Sequence, residues 1–247
     1  METIAVRRHR LAVKKLENIR ERALGLIKRR LGRITEFDVA QFVFAEFKKR
    51  GLVADIAYDY QIIAVDENSA DPHYEPKKES AKIIQKGSLI KFDTWARLQK
   101  PNSYFGDVTW MFFVGRQIPS AIKKAFSDVA AARDLTLKFI KHELKKKKIP
   151  SGREVDAIVR NYFAQKGVLE FFTHNTGHSL GFDACHGQAF GLSPRSKENI
   201  IPEIPFTIEP GLYSPGKFGV RSEIDCYITK KYKLIVTSRV QRKITLI

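Results

Sequence analysis

The sequence predicts an α+β fold of two similarly planned halves with a cleft between them. Three observations predict it. Long amphipathic helical stretches alternate with runs rich in aromatic and β-branched residues. One helix start-and-stop pattern occurs twice, 116 residues apart (151 − 35). Each copy is preceded by another long helix and followed by strand-like sequence.

The first helix is read over residues 8–31, where Leu16, Ile19, Ala23 and Ile27 recur at helical spacing. Thr35-Glu36-Phe37-Asp38 opens the next, because the threonine hydroxyl can accept an orphan N–H of the first turn. Gly51 stops it. A helix over about 119–148 precedes the second copy, in which Ser151-Gly152-Arg153-Glu154 repeats the start and Gly167 the stop. Cap and glycine are 16 residues apart in both (51 − 35 and 167 − 151). Val39, Val43 and Phe47 match Val155, Val159 and Phe163. Two ordinary helices can share caps; equal length with matching apolar positions favours an internal duplication. The halves would be about 1–117 and 118–247 of one domain. Ser88 to Ala96 and Tyr104 to Val114 read as strands of a hairpin whose linker holds Pro-Asn-Ser. Pro205 to Tyr213 and Gly219 to Thr229 read as another pair, joined by Ser-Pro-Gly-Lys.

Composition narrows the classes. Hydrophobic residues make up 43% of 247, enough for a sizeable core and too many for a disordered chain. No apolar run reaches the roughly 18–20 residues that span a bilayer, and METIAVRRHRLAVKK is not a secretory signal, so no membrane contact and a cytoplasmic location are expected. Cys185 and Cys226 alone form neither a disulfide framework nor a CxxC knuckle. Lys plus Arg (44) exceeds Asp plus Glu (27), giving +17. Much of this sits in residues 7–33 and in Lys145 to Lys148. Nucleic acid is one reading of such charge, but no nucleic-acid motif accompanies it, and solvated helix faces are favoured.

Chemistry is carried by acids inside apolar strands. Asp93 and Asp107 are 14 apart across one hairpin, Glu209 and Glu223 14 apart across the other. A buried carboxylate needs a partner. Arg221 is the only obvious strand-borne cation nearby, and a divalent metal cluster neutralises four acids better. His174-Asn-Thr-Gly-His178-Ser-Leu-Gly adds two histidines four apart, with glycines that suggest a close backbone approach. Four carboxylates and one imidazole form an oxygen-dominated set suited to Mn, Co, Fe or Mg-like ions, with Zn allowed. Singly, each acid is more often salt-bridged; the ordered set carries the weight.

The order Asp93, Asp107, His178, Glu209, Glu223 resembles the ligand set of the pita-bread metallopeptidases, peptidase family M24. That family includes methionine aminopeptidase, Xaa-Pro aminopeptidase, prolidase and creatinase. FDTWA with GDVTWMFFVG resembles its aspartate strands, HNTGHSLG its histidine motif, and TIEPGLY with GVRSEIDCYIT its glutamate strands. The likeness covers nearly the whole chain. The short Glu209–Glu223 step and Asp71-Pro72-His73-Tyr74 are most similar to the Xaa-Pro aminopeptidase and prolidase branch, whose large N-terminal domain has no counterpart in these residues.

The resemblance implies a pita-bread fold, with helices outside a curved antiparallel sheet and two pseudo-twofold related halves. It implies two divalent ions, Mn or Co ahead of Fe or Zn, a peptide substrate and attack by a metal-bridging hydroxide. Asp93 would hold one ion, Asp107 and Glu223 would bridge, and His178 and Glu209 would complete the second. Glu209 would shuttle the proton, and His73 and His174 would donate to the substrate carbonyl or oxyanion. His186 would line the pocket, and Arg221 would orient Glu223 or a neighbouring acid. A homodimer is compatible with this reading. Departures are Trp95 where a small residue is usual, a longer Asp93–Asp107 linker, Ser179 for glycine and Gly187 for glutamate. Two alternatives exist: an inactive pita-bread protein binding RNA, ribosome or protein through its basic surface, and a creatinase-type hydrolase working without metal. A scaffold has no physical need for converging acids, and a metal-free hydrolase need not keep the five ligand types, so the metallopeptidase is favoured.

Overall fold

A computed structural model of the chain describes residues 2–55 and 60–247. Helix α1 (Ile4–Arg29) buries Val13, Leu16, Ile19, Ala23 and Ile27. It leaves Arg7, Arg10, Lys14, Arg22 and Lys28 exposed, so much of the basic stretch is a solvated helix face. Helix α2 (Glu36–Lys49) begins at a reciprocal cap, in which Thr35 Oγ1 accepts from Asp38 N and Asp38 Oδ2 accepts from Thr35 N. Gly51, at φ +61°, ends the turn that follows it.

Strands β1 (Leu52–Val53) and β2 (Ile62–Val65) both pair antiparallel with the long β3 (Leu89–Leu98), which pairs on its other edge with β4 (Gly106–Phe113). Helices α3 (Ser120–Lys145) and α4 (Gly152–Gln165) follow, and α4 opens on the same reciprocal cap, Ser151 with Glu154. Then come β5 (Gly177–Leu180), β6 (His186–Leu192), β7 (Phe206–Ile208), β8 (Gly211–Ser214), β9 (Phe218–Arg221), β10 (Ile224–Ile228) and β11 (Leu234–Val236). The second sheet runs β11-β10-β7-β5-β6, and β12 (Thr245–Leu246) returns to lie parallel to β4. No described helix is long and apolar enough to cross a membrane.

Each helix pair covers one sheet. Leu16, Ile19, Val43 and Phe47 pack on Ile63, Ile90, Phe92 and Phe112 of the first. Ile140, Leu144 and Val155 pack on Phe190, Phe206, Ile208 and Ile224 of the second. A third cluster, including Met111, Phe113, Val129, Phe163, Leu212 and Val220, joins them.

One expected strand pair is subdivided. β7 pairs with β10 and β8 with β9, and the gap holds Glu209-Pro210 on one side and Ser222-Glu223 on the other. Proline has no N–H to give a ladder, which is the physical reason for the interruption. The register continues through it (Ile208 opposite Ile224, Gly211 opposite Arg221), so Glu209 stands opposite Glu223.

The two caps lie on separate helices, so Thr35→Ala and Ser151→Ala are each expected to cost ~1 kcal/mol, and the double variant close to the sum. Urea unfolding of the single and double variants checks this.

Candidate active site

Asp93 lies opposite Thr109, and Asp107 opposite Trp95. Alternate residues of a strand share a face with their cross-strand partners, so both carboxylates rise from one face of the β3–β4 hairpin. β10 packs beside that hairpin, and Thr109 Oγ1 donates to Glu223 Oε2 at 2.7 Å. Ligand oxygens of Asp93, Asp107 and Glu223 lie within 4.8 Å of one another. His178 completes the convergence, its Nε2 3.3 Å from Glu209 Oε1 and 3.7 Å from Asp107 Oδ2. The five residues therefore meet in one place, with all four carboxylates buried.

Local backbone packing sets the position of His178. A Cβ on Gly177 would fall 2.2 Å from Thr207 O, so only glycine lets β5 approach β7 this closely. Thr207 Oγ1 accepts from His178 N (3.1 Å) and donates to Glu209 Oε1 (3.0 Å), tying two of the five together.

The charges do not balance by themselves. Burial first, then Asp93, Glu209 and Asp225, pushes Asp107 well above the usual carboxylate range. Burial, then Asp107, Glu209 and Asp93, does the same to Glu223. Burial lifts Glu209 to about 7 against the pull of Arg221. Burial, then His186, drops His178 to about 3, so its ring is neutral. Its Nδ1 lies 3.1 Å from Ser179 O and must carry the proton to bond there. The Nε2 lone pair therefore faces the oxygens of Glu209 and Asp107. Acceptors aimed at one another fit a cation, and an oxygen-rich set with one imidazole fits a hard divalent one.

Arg221 is the only Lys or Arg among the described residues lining the cleft. Its Nη1 meets Asp93 Oδ2 at 2.7 Å, its Nε donates to Tyr213 Oη at 2.8 Å, and its Nη2 to Pro72 O at 3.1 Å. Its hydrogen-bonded acid is thus Asp93. Tyr213 Oη lies 2.8 Å from His174 Nε2, and His174 Nδ1 lies 2.8 Å from Asn175 O. Burial, then Arg221, holds His174 well below its usual range, so the neutral ring donates through Nδ1 and accepts through Nε2. His73 and His186 line the same cleft, of about 310 Å³, and the His186 ring lies 4.0 Å from that of His178.

The segment carrying His73 is clamped from below. The fully buried Lys91 donates to Ser69 O (3.2 Å) and Asp71 O (2.6 Å). Glu36, also fully buried, accepts from Val65 N, Asn68 Nδ2, Tyr74 Oη and Lys82 N. Further supports lie outside the residues that the sequence singles out. Asp225 Oδ2 accepts from Asp107 N at 2.9 Å, and Cys185 Sγ donates to Asp107 Oδ2 at 3.1 Å. Asp225 alternates with Glu223 along one strand, a signal that was readable. Tyr213 closes the TIEPGLY motif, where a phenol is a natural partner for a buried guanidinium. Lys91 sits in an apolar run and carries no such signal.

Residues 4–230 match the family model of metallopeptidase family M24. The chain belongs to this family. Among M24-like relatives, the uncharacterized peptidase YqhT of Bacillus subtilis (strain 168) is 33% identical over 204 residues, 83% of this chain and 53% of that protein. A putative Xaa-Pro aminopeptidase of Mycoplasma genitalium is 29% identical over 230 residues, 92% of this chain and 60% of that one. The solved X-Pro aminopeptidase of Thermotoga maritima MSB8 superposes with a TM-score of 0.83 at 26% identity, covering 98% of this chain and 63% of that one. The fold is the pita-bread fold of M24, and the chain spans between half and two thirds of the length of these relatives.

The Glu209 shift gives a signed expectation for metal-free protein. An acid raised from 4.5 to about 7 binds its proton more tightly in the folded state, so folding stability falls as pH rises through that window. Relative to Glu209→Gln, chelator-treated wild type is expected to lose stability from about pH 4.5 to 7. Paired denaturation curves across that range decide it; a difference that grows in favour of wild type contradicts the burial of this carboxylate.

Proposed function

We propose that this chain forms the catalytic unit of a dinuclear metal-dependent aminopeptidase that hydrolyses the first bond of Xaa-Pro peptides. The observation that carries it is the convergence of Asp93, Asp107, His178, Glu209 and Glu223 with their acceptor atoms facing one another. The likeness to a putative Xaa-Pro aminopeptidase and to a solved X-Pro aminopeptidase supports the substrate class.

In this reading Asp93, Asp107, His178, Glu209 and Glu223 would together hold two divalent ions, with manganese or cobalt preferred. Bound divalent ions supply a water nucleophile ionised near neutral pH and polarise the scissile carbonyl. The remaining work falls to side chains. Glu209 Oε1 is fixed by Thr207, which leaves Oε2 to take a proton and return it to the leaving nitrogen. Arg221 fixes the rotamer of Asp93, and Tyr213 ties that guanidinium to His174. His73 and His174 are assigned to the substrate carbonyl and the oxyanion. Both ring nitrogens of His174 are bonded, so it takes part when substrate displaces one of those bonds. His186 is assigned to the substrate wall beside His178.

Elemental analysis of reconstituted wild type is expected to find about two divalent ions per chain. Asp107→Asn and Glu223→Gln should lose metal while keeping the circular dichroism of the wild type. Their kcat/KM on an Xaa-Pro peptide should fall by at least ~10²-fold. Undiminished hydrolysis by either variant rejects the assignment. Tyr213→Phe leaves every proposed ligand in place, so it should retain metal yet lose ~10–100-fold in activity.

A further inference from the structure

Trp95 lies two residues beyond Asp93 on the same face of β3, and directly opposite Asp107. The indole therefore stands beside two of the four carboxylates. It is 7% exposed, lines the cleft and meets Tyr60 edge-to-face at 6.1 Å. Ile62, opposite Asp93 on β2, and Cys185 pack into the same cluster, so this end of the cleft is an apolar wall on rigid strands. Elsewhere the lining is polar, with Thr173, His174 and Asn175.

This asymmetry orients a peptide. A free amino group is drawn to the cleft's carboxylates, and the indole stands beside two of them, Asp93 and Asp107. The first side chain then falls against Trp95. The cleft, about 310 Å³, is at the low end of the roughly 300–1,000 Å³ typical of small-molecule sites. The indole, edge-on to Tyr60, forms the wall of that space on the side where the first side chain lies. We propose that Trp95 closes the amino-terminal end of the cleft and restricts the substrate's first residue to a small side chain, such as glycine, alanine or serine. This rests on the peptidase reading above.

The test compares metal-loaded wild type, Trp95→Phe and Trp95→Ala on Ala-Pro-Ala and Leu-Pro-Ala. Against a fixed hydrophobic wall one methylene is worth roughly 10–200-fold in kcat/KM, so wild type should favour the alanyl peptide by at least about tenfold. Trp95→Ala should shrink that ratio by at least ~10-fold, largely through KM for the leucyl peptide. Trp95→Phe should fall between; it keeps an aromatic ring against Tyr60 and serves if the alanine variant does not fold. A wild-type preference for the leucyl peptide, or a ratio unmoved in the folded variants, overturns the wall. Cleavage of neither peptide by metal-loaded wild type removes the peptidase reading and the wall with it, an outcome distinct from cleavage with an unchanged ratio.

Discussion

Four buried carboxylates held in one cleft against a single guanidinium are the constraint on which this molecule turns. Two like charges about 4 Å apart repel by roughly 4 kcal/mol at the effective dielectric of a protein surface, and more when buried. Arg221 meets one of the four closely and a second at 3.6 Å. Protonation is one escape, visible in the upward shifts of Asp107, Glu209 and Glu223. Divalent cations would be the other, and would also meet the Nε2 lone pair of His178. The arrangement is poor for stability without metal and well matched to holding one, a conflict typical of sites kept for chemistry.

The fold creates this crowding through register. In one hairpin the acids occupy positions offset by two residues on one face; in the other they stand opposite each other where the ladder lapses at Pro210. β5 brings the imidazole in against β7 through a glycine contact. Around this, Thr109, Thr207 and Asp225 bond members of the cluster, and Lys91 and Glu36 hold the loop of His73. A liganding side chain is only as well placed as the groups that fix its rotamer.

Much of the architecture was legible because its signals are local. Two capping boxes, two stop glycines and helical periodicity announce α1 to α4, and the helix limits fall within a few residues of those expected. The convergence of the five polar residues was legible for another reason: acids inside apolar strands have no comfortable alternative to meeting something charged. What escaped depends on tertiary contact. Nothing near Lys91 in sequence reveals that its ammonium ends on the carbonyls of residues 69 and 71. His9, on the first helix, lies between Phe105 O and Thr237 Oγ1, and no periodicity predicts partners 96 and 228 residues away. The division of the last hairpin was hidden because an unbroken apolar alternation reads as one strand even when proline interrupts its bonding.

The five converging residues are also divided along the chain. Asp93 and Asp107 belong to the first sheet, and His178, Glu209 and Glu223 come more than 70 residues later. During synthesis the two aspartates leave the ribosome long before their partners exist. Neither segment alone holds more than part of the cluster. The cluster is thus complete only once β10 has docked against β4.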